Sequence, residues 1–189
     1  MTELSKQESE ELSRLKAKLK NYEEKIRDLE RLKKIEQSIM VGLKEEGFSD
    51  KALDLFRYRK NFLVEDDPLE KNADVVGGFT GACGDHVDTY LRVSKEKGII
   101  EDAKYRTDGC PGAVTSASAV TELAKAKRLQ EALKLNVTDV VRYLEDRTGS
   151  LPKHMRDCCT IAVGSLREAI RKYEGKIDRL KNQDSETRQ

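Results

Sequence analysis

The chain has 189 residues, yet no Trp, only three Pro, and aromatic residues at 5%. With so few large side chains, a core cannot occupy the whole chain. No apolar run approaches the roughly 18–20 residues that a membrane-spanning helix needs, so no membrane partner is expected. Neither sign of charge dominates: 36 Lys and Arg stand against 35 Asp and Glu, a formal net charge of +1. A general nucleic-acid binder needs a basic surplus or a basic face, so no nucleic-acid partner is expected either. The opening stretch MTELSKQESEEL is acidic and polar, unlike a signal or transit peptide. The expected compartment is therefore cytoplasmic. There the four cysteines stay reduced, which favours metal binding or chemistry over disulfides. No P-loop, no GxGxxG after a strand and no HExxH is present, and two His leave hydrolase chemistry without its parts.

What the chain has in excess is charge, 38% of residues against about 25% in an average globular protein. Much of it lies in residues 1–46, which hold no Pro, no Cys and no Gly before Gly42. Leu12, Leu15, Leu19, Tyr22, Ile26 and Leu29 follow gaps of 3, 4, 3, 4 and 3, the seam of a heptad repeat. With Leu12 at position a, a parallel partner would pair Glu11 with Lys16, Lys18 with Glu23 and Lys25 with Glu30. Every pair is opposite in sign. After Leu29 the stripe shifts to Leu32, Ile35 and Ile39, as a three-residue stammer would shift it. The pattern predicts a long amphipathic N-terminal helix over 1–46. Self-association through residues 11–39, docking on its own domain, or a solvated helix held by i,i+4 pairs all remain open.

From residue 47 to 181 the pattern is that of a folded domain, followed by a polar tail at 182–189. Ser49 reads as the N-cap of a helix carrying Ala52, Leu53, Leu55 and Phe56, and residues 61–72 read as a loop. Val87, Thr89, Leu91 and Val93 alternate as in a half-buried strand. A turn at 95–98 and a second extended run at 99–106 complete an antiparallel hairpin. Helices are predicted over 113–127, over 129–135, and from Thr138 as N-cap to Asp146. A last helix bears Cys158, Ala162, Leu166, Ala169, Ile170, Tyr173, Ile177 and Leu180 at helical spacing. Strands followed by helices place the fold in the α+β class, a small antiparallel sheet packed by helices.

None of Cys83, Cys110, Cys158 and Cys159 forms a CxxC pair, which removes the zinc-finger spacing. Their settings are informative instead. Cys83 stands in Gly81-Ala82-Cys83-Gly84-Asp85, and Cys110 in Gly109-Cys110-Pro111-Gly112 at the start of a helix. Cys158 is near the start of the last helix. Helix N-termini favour thiolates, so lowered pKa values are expected at Cys110 and Cys158. Thiolate binds iron or zinc and accepts sulfur from a persulfide. A lone cysteine is most often a small buried hydrophobe. Three of them in glycine-bounded or helix-start turns, with Asp85, make a plausible shell of three soft ligands and one hard oxygen.

These motifs carry a resemblance. From Phe48 to about Gly175 the chain resembles iron–sulfur cluster assembly scaffolds of the IscU/NifU N-terminal type. Phe48-Ser49-Asp50-Lys51-Ala52-Leu53-Asp54 is similar to that family's opening helix, and Gly81-Ala82-Cys83-Gly84-Asp85 to its first ligand motif. Thr107-Asp108-Gly109-Cys110 resembles the second, followed by a Ser-rich helix like Thr115 to Glu122, and Leu151-Pro152 with Cys158 and Ala162 the third. The resemblance implies metal ligation by Cys83, Asp85, Cys110 and Cys158 of a [2Fe–2S] cluster or iron, with zinc as the alternative. It also implies a cysteine desulfurase as sulfur donor and apo iron–sulfur proteins as recipients. Asp85, a poor match for iron in a sulfur-rich shell, would keep the cluster labile.

Two departures follow. Asp157 stands where the family has His, as an additional ligand or the mark of a more open site. Leu151-Pro152-Lys153-His154-Met155 replaces the element that a dedicated chaperone recognises in some members. Cys159 is extra: a spare ligand, a persulfide carrier, or a packed residue. His86 and His154 are expected at the surface. The leading expectation is a scaffold without turnover. The alternatives are a zinc-bound sulfur relay partnering a cysteine desulfurase, and a tethering protein whose metal site has decayed.

Overall fold

The computed structural model describes residues 6–186, with side chains over residues 9–179. The chain divides into two units, Met1–Leu43 and Lys44–Gln189. Helix α1, Lys6–Glu45, makes up the described part of the first unit and continues across the division. Leu, Glu, Lys and Arg are strong helix formers, and no Pro interrupts them. The heptad seam is bare in the single chain: Leu12 is 41% exposed and Leu29 65%.

In the second unit, Ser49 caps α2 (Asp50–Tyr58) as expected, its hydroxyl accepting the Ala52 N–H at 3.0 Å. Phe48 and Ala52 are fully buried. The expected loop at 61–72 contains a short helix, α3 (Pro68–Asn72), capped by the Asp67 carboxylate on the Leu69 N–H at 2.9 Å. Five residues are too few to show a helical period, so only the Asp-Pro cap signals it. Ahead of α3, residues 61–63 line up beside the sheet, where the Leu63 N–H donates to the Tyr105 carbonyl at 2.7 Å.

The sheet is antiparallel, in the order β1 (Val75–Thr80), β2 (His86–Val93), β3 (Ile100–Arg106). The β2–β3 hairpin is the expected one, with Asp88 opposite Arg106 and Leu91 opposite Ala103. Val87, Thr89, Leu91 and Val93 are all buried, as their alternation predicts. Strand β1 was not expected, because VVGGFT carries two glycines and glycine is depleted in strands. The reason is contact: a Cβ on Gly77 would stand 2.0 Å from the Ala169 backbone nitrogen. Ala169 belongs to the last helix, α7 (Arg156–Glu186), which lies across β1 and β2.

Helix α4 (Pro111–Ala124) is the centre of the unit, in contact with α2, α7 and β3. Helical spacing puts Val120, Leu123 and Ala124 on one side, as if only that side were apolar, but every residue from Gly112 to Thr121 is buried. Small side chains let the neighbours come close, and the hydroxyls are satisfied locally. Ser118 bonds the Tyr105 hydroxyl at 2.9 Å, and Thr121 donates to the Ala117 carbonyl at 2.8 Å. Helices α5 (Leu129–Ala132) and α6 (Val137–Leu144) follow. The cap of α6 is Asn136, not Thr138: its side-chain oxygen accepts from the Thr138 and Asp139 N–H groups at 2.9 and 3.2 Å. Asp139 returns the bond to the Asn136 N–H at 3.0 Å, a reciprocal box that sets the helix start two residues earlier.

A 3-10 turn, Lys153–Met155, leads into α7. Ala162, Leu166, Ala169 and Ile170 form its fully buried face. The helix runs through residues 182–186 of the expected tail; residues 187–189 and the first five residues lie outside those described. The Leu180 side chain also lies outside them. No helix among the described residues is long and apolar enough to cross a membrane.

Candidate metal centre

Three chain segments converge at one end of α4. The first is the β1–β2 turn, closed by Gly81 N–H to Asp85 carbonyl at 2.9 Å and Gly84 N–H to Gly81 carbonyl at 3.0 Å. The second is the N-terminus of α4, where Cys110 is the N-cap and Pro111 follows. The third is the first turn of α7, where Cys158 is the third residue. Donor atoms of Asp85, Cys110 and Cys158 all lie within 4.8 Å of one another.

The cluster is held by specific contacts. An Asp85 carboxylate oxygen accepts the Cys110 N–H at 3.2 Å, and the Cys110 and Cys158 sulfurs are 3.5 Å apart. Buried Thr107 ties the second motif to the hairpin base. Its hydroxyl donates to the His86 carbonyl at 2.5 Å and accepts the Gly109 N–H at 3.1 Å. Gly112 leaves room for the third: a Cβ there would meet the Cys158 sulfur at 3.0 Å. Thr107 lies in the motif quoted from the sequence, but its positioning role shows only once β2 and the second motif are side by side.

The thiols are not alike. The hydrogen bond with Cys158 holds Cys110 below the ordinary thiol value, and the Ala113 amide favours its thiolate too, against burial and Asp85. The same sulfur–sulfur contact pushes Cys158 up, reinforced by burial and by the charges of Cys110, Asp85 and Cys83. A lowered value at both was expected from their helix starts. Only Cys110 has it, because two thiols in contact cannot both ionise freely. The pair therefore titrates as a unit, its first proton lost more easily than its second.

Cys83 is exposed on the hairpin turn and stands outside the gathered trio. It lines a shallow groove of about 300 Å³ with Phe79, Asp157, Thr160 and Ile161. Asp157 therefore lines the same groove as Cys83, exposed, and is not among the gathered donors. Cys159 points into the core instead, fully buried, its sulfur 3.3 Å from the Ser116 hydroxyl, and burial raises its pKa. Adjacent residues on a helix are about 100° apart, which separates Cys159 from Cys158. His86 is engaged by Thr80 at 2.7 Å and Asp88 at 3.1 Å, and His154 is exposed on the 3-10 turn. Neither is among the gathered donors.

The sequence pattern of the NifU-like N-terminal domain matches residues 47–180. The chain belongs to that family. Relatives with curated names agree. The chain is 38% identical over 139 residues to iron–sulfur cluster assembly scaffold protein IscU 1 of Archaeoglobus fulgidus, covering 71% of this chain and 83% of that one. It is 36% identical over 133 residues to the iron–sulfur cluster assembly scaffold protein IscU of Escherichia coli, covering 69% and 96%. Nitrogen fixation protein NifU of Trichormus azollae is 37% identical over 130 residues, covering 68% of this chain but only 42% of that relative. All three converging segments lie inside the NifU-like region, and the heptad-patterned residues lie outside it.

Proposed function

We propose that this NifU-like protein is an iron–sulfur cluster assembly scaffold. It accepts sulfur from a cysteine desulfurase, combines it with iron as a labile [2Fe–2S] cluster, and passes the cluster to apo iron–sulfur proteins. The observation that carries this reading is the Asp85, Cys110 and Cys158 cluster, three donors from three segments within 4.8 Å. We assign Cys83 as the fourth donor, since it occupies the turn that also carries Asp85. Asp157 flanks the site on the Cys83 side, and Cys159 serves the core.

The chemistry follows from exposure and charge. Cys83 is the accessible sulfur. As thiolate it attacks the outer sulfur of a persulfide, forming one S–S bond while the donor's S–S bond breaks and the donor leaves as thiolate. A thiol reductant then supplies the two electrons that turn the carried sulfur into sulfide. Cys110 and Cys158, 3.5 Å apart, would hold the metal as thiolates, since metal charge favours loss of their protons. Asp85 completes the shell with a hard oxygen that iron in a sulfur-rich setting releases readily. The protein is thus a stoichiometric carrier, working in the cytoplasm where thiols stay reduced.

Anaerobic reconstitution with iron, sulfide and a desulfurase, followed by incubation with an apo-ferredoxin, tests the function. A brown protein that yields holo-ferredoxin is the expected result. Three sulfurs and one oxygen also suit zinc. A colourless protein holding one zinc and making no cluster would replace this reading with a sulfur relay. Asp85→Cys probes the oxygen ligand: a fourth thiolate should keep the cluster in place and slow its transfer by about tenfold or more. Transfer at the parent rate, measured by ferredoxin absorbance, would remove Asp85 from the release step.

A further inference from the structure

We propose that α1 pairs with α1 of a second copy of this chain, as a parallel, in-register two-stranded coiled coil over residues 11–30. The surface for it is exposed and ordered by the heptad. Leu15 is 54% exposed, Leu19 59%, Tyr22 61% and Ile26 55%. Such a stripe on a charged helix is stable in water only weakly by itself, and helices of this kind gain most from a partner surface.

The flanking charges identify that partner. Glu11, Lys18 and Lys25 occupy g positions; Lys16, Glu23 and Glu30 occupy the e positions five residues later. Positions i and i+5 are not neighbours on one helix, where i+3 and i+4 are. The sign relation therefore has no use within a single helix. Between two parallel copies in register, g of one faces e of the other, and all three pairs attract on both sides of the seam. An unrelated partner would not need this chain's own g and e residues to complement each other.

Charge also selects the orientation. An antiparallel pair that uses the same seam stacks Leu12 over Leu29 and Leu19 over Tyr22. There g faces g and e faces e: Lys18 meets Lys25 twice, while Lys16 meets Glu23 twice. Two repulsions cancel two attractions, against six attractions in the parallel pair. The stammer after Leu29 ends the strict seam near Glu30. A parallel pair brings the C-terminal ends of both helices to the same end. This inference is independent of the proposed function, because residues 11–30 belong to the first unit.

Sedimentation equilibrium on the full chain reads the pairing. A dimer that dissociates on dilution is expected, and Leu19→Asp with Ile26→Asp should leave a monomer. Lys18→Glu with Lys25→Glu converts four attractions into repulsions and should raise the dimer dissociation constant by about tenfold or more. Adding Glu23→Lys and Glu30→Lys to that pair should restore it. Each outcome is decisive. A parent chain that stays monomeric at high micromolar concentration overturns the pairing. So does a dimer that survives Leu19→Asp with Ile26→Asp. An unchanged constant for Lys18→Glu with Lys25→Glu overturns the parallel orientation, since an antiparallel pair would merely exchange Lys–Lys for Glu–Glu.

Discussion

Cys110→Ala and Cys158→Ala are each expected to lower the iron affinity of the reconstituted protein by more than about 100-fold. Loss of an outer-sphere hydrogen bond already costs metal sites roughly 10–100-fold, and a direct thiolate contributes more. The two sulfurs are 3.5 Å apart and gathered with Asp85, so each variant removes one of the three converging donors. Cys159→Ala is the internal control. Its sulfur faces Ser116 in the core, so iron content per chain should be unchanged while thermal stability falls modestly. Iron and acid-labile sulfide, measured per chain after desalting under argon, decide the matter. Parent iron content in both Cys110→Ala and Cys158→Ala would end the metal-centre assignment.

Gly77→Ala should be more damaging than alanine at any other glycine of the second unit that lies in a helix or strand. The added carbon would sit 2.0 Å from the Ala169 nitrogen, 2.5 Å from its Cα and 2.6 Å from the Ser165 carbonyl oxygen. These are backbone atoms of α7, which cannot rotate away as a side chain would. Either β1 or α7 must move, and α7 also carries Cys158. Overpacking costs typically about 1–3 kcal/mol, and contact with backbone puts this case at or above the upper end. In a domain of this size that lowers the melting temperature by about 10 °C. Gly175→Ala, also on α7 but with no atom within 4 Å of the new carbon, should be neutral or slightly stabilising. Differential scanning calorimetry of the two variants gives the comparison. Equal melting temperatures would mean that β1 and α7 do not lie as close as described.

Period and capping explain what could be read in advance. The β2–β3 hairpin was legible because one face of β2 is buried and the other is not, which writes alternation into Val87, Thr89, Leu91 and Val93. The α2 start was legible from Ser49. Strand β1 was not, because Gly77 answers to the backbone of a helix about ninety residues further on and Gly78 to the His86 and Asp88 side chains across the strand pair, and no local pattern records either contact. For the same reason α4 looked one-sided: its Ser and Thr residues read as polar, while their hydroxyls are satisfied by Tyr105, Cys159 and the helix's own carbonyls.

Composition and spacing alone determined that the chain has a charge-rich heptad helix, an α+β body, and cysteines in turns suited to ligation. Those are properties of neighbours within a few residues. Which cysteines meet, and that two of them titrate together, was decided only by tertiary structure. Cys158 and Cys159 are adjacent in sequence, yet the pitch of α7 sends one sulfur to Cys110 and Asp85 and the other to Ser116. Helix N-termini argue for two acidic thiols; contact between the sulfurs leaves one, because like charges 3.5 Å apart disfavour each other.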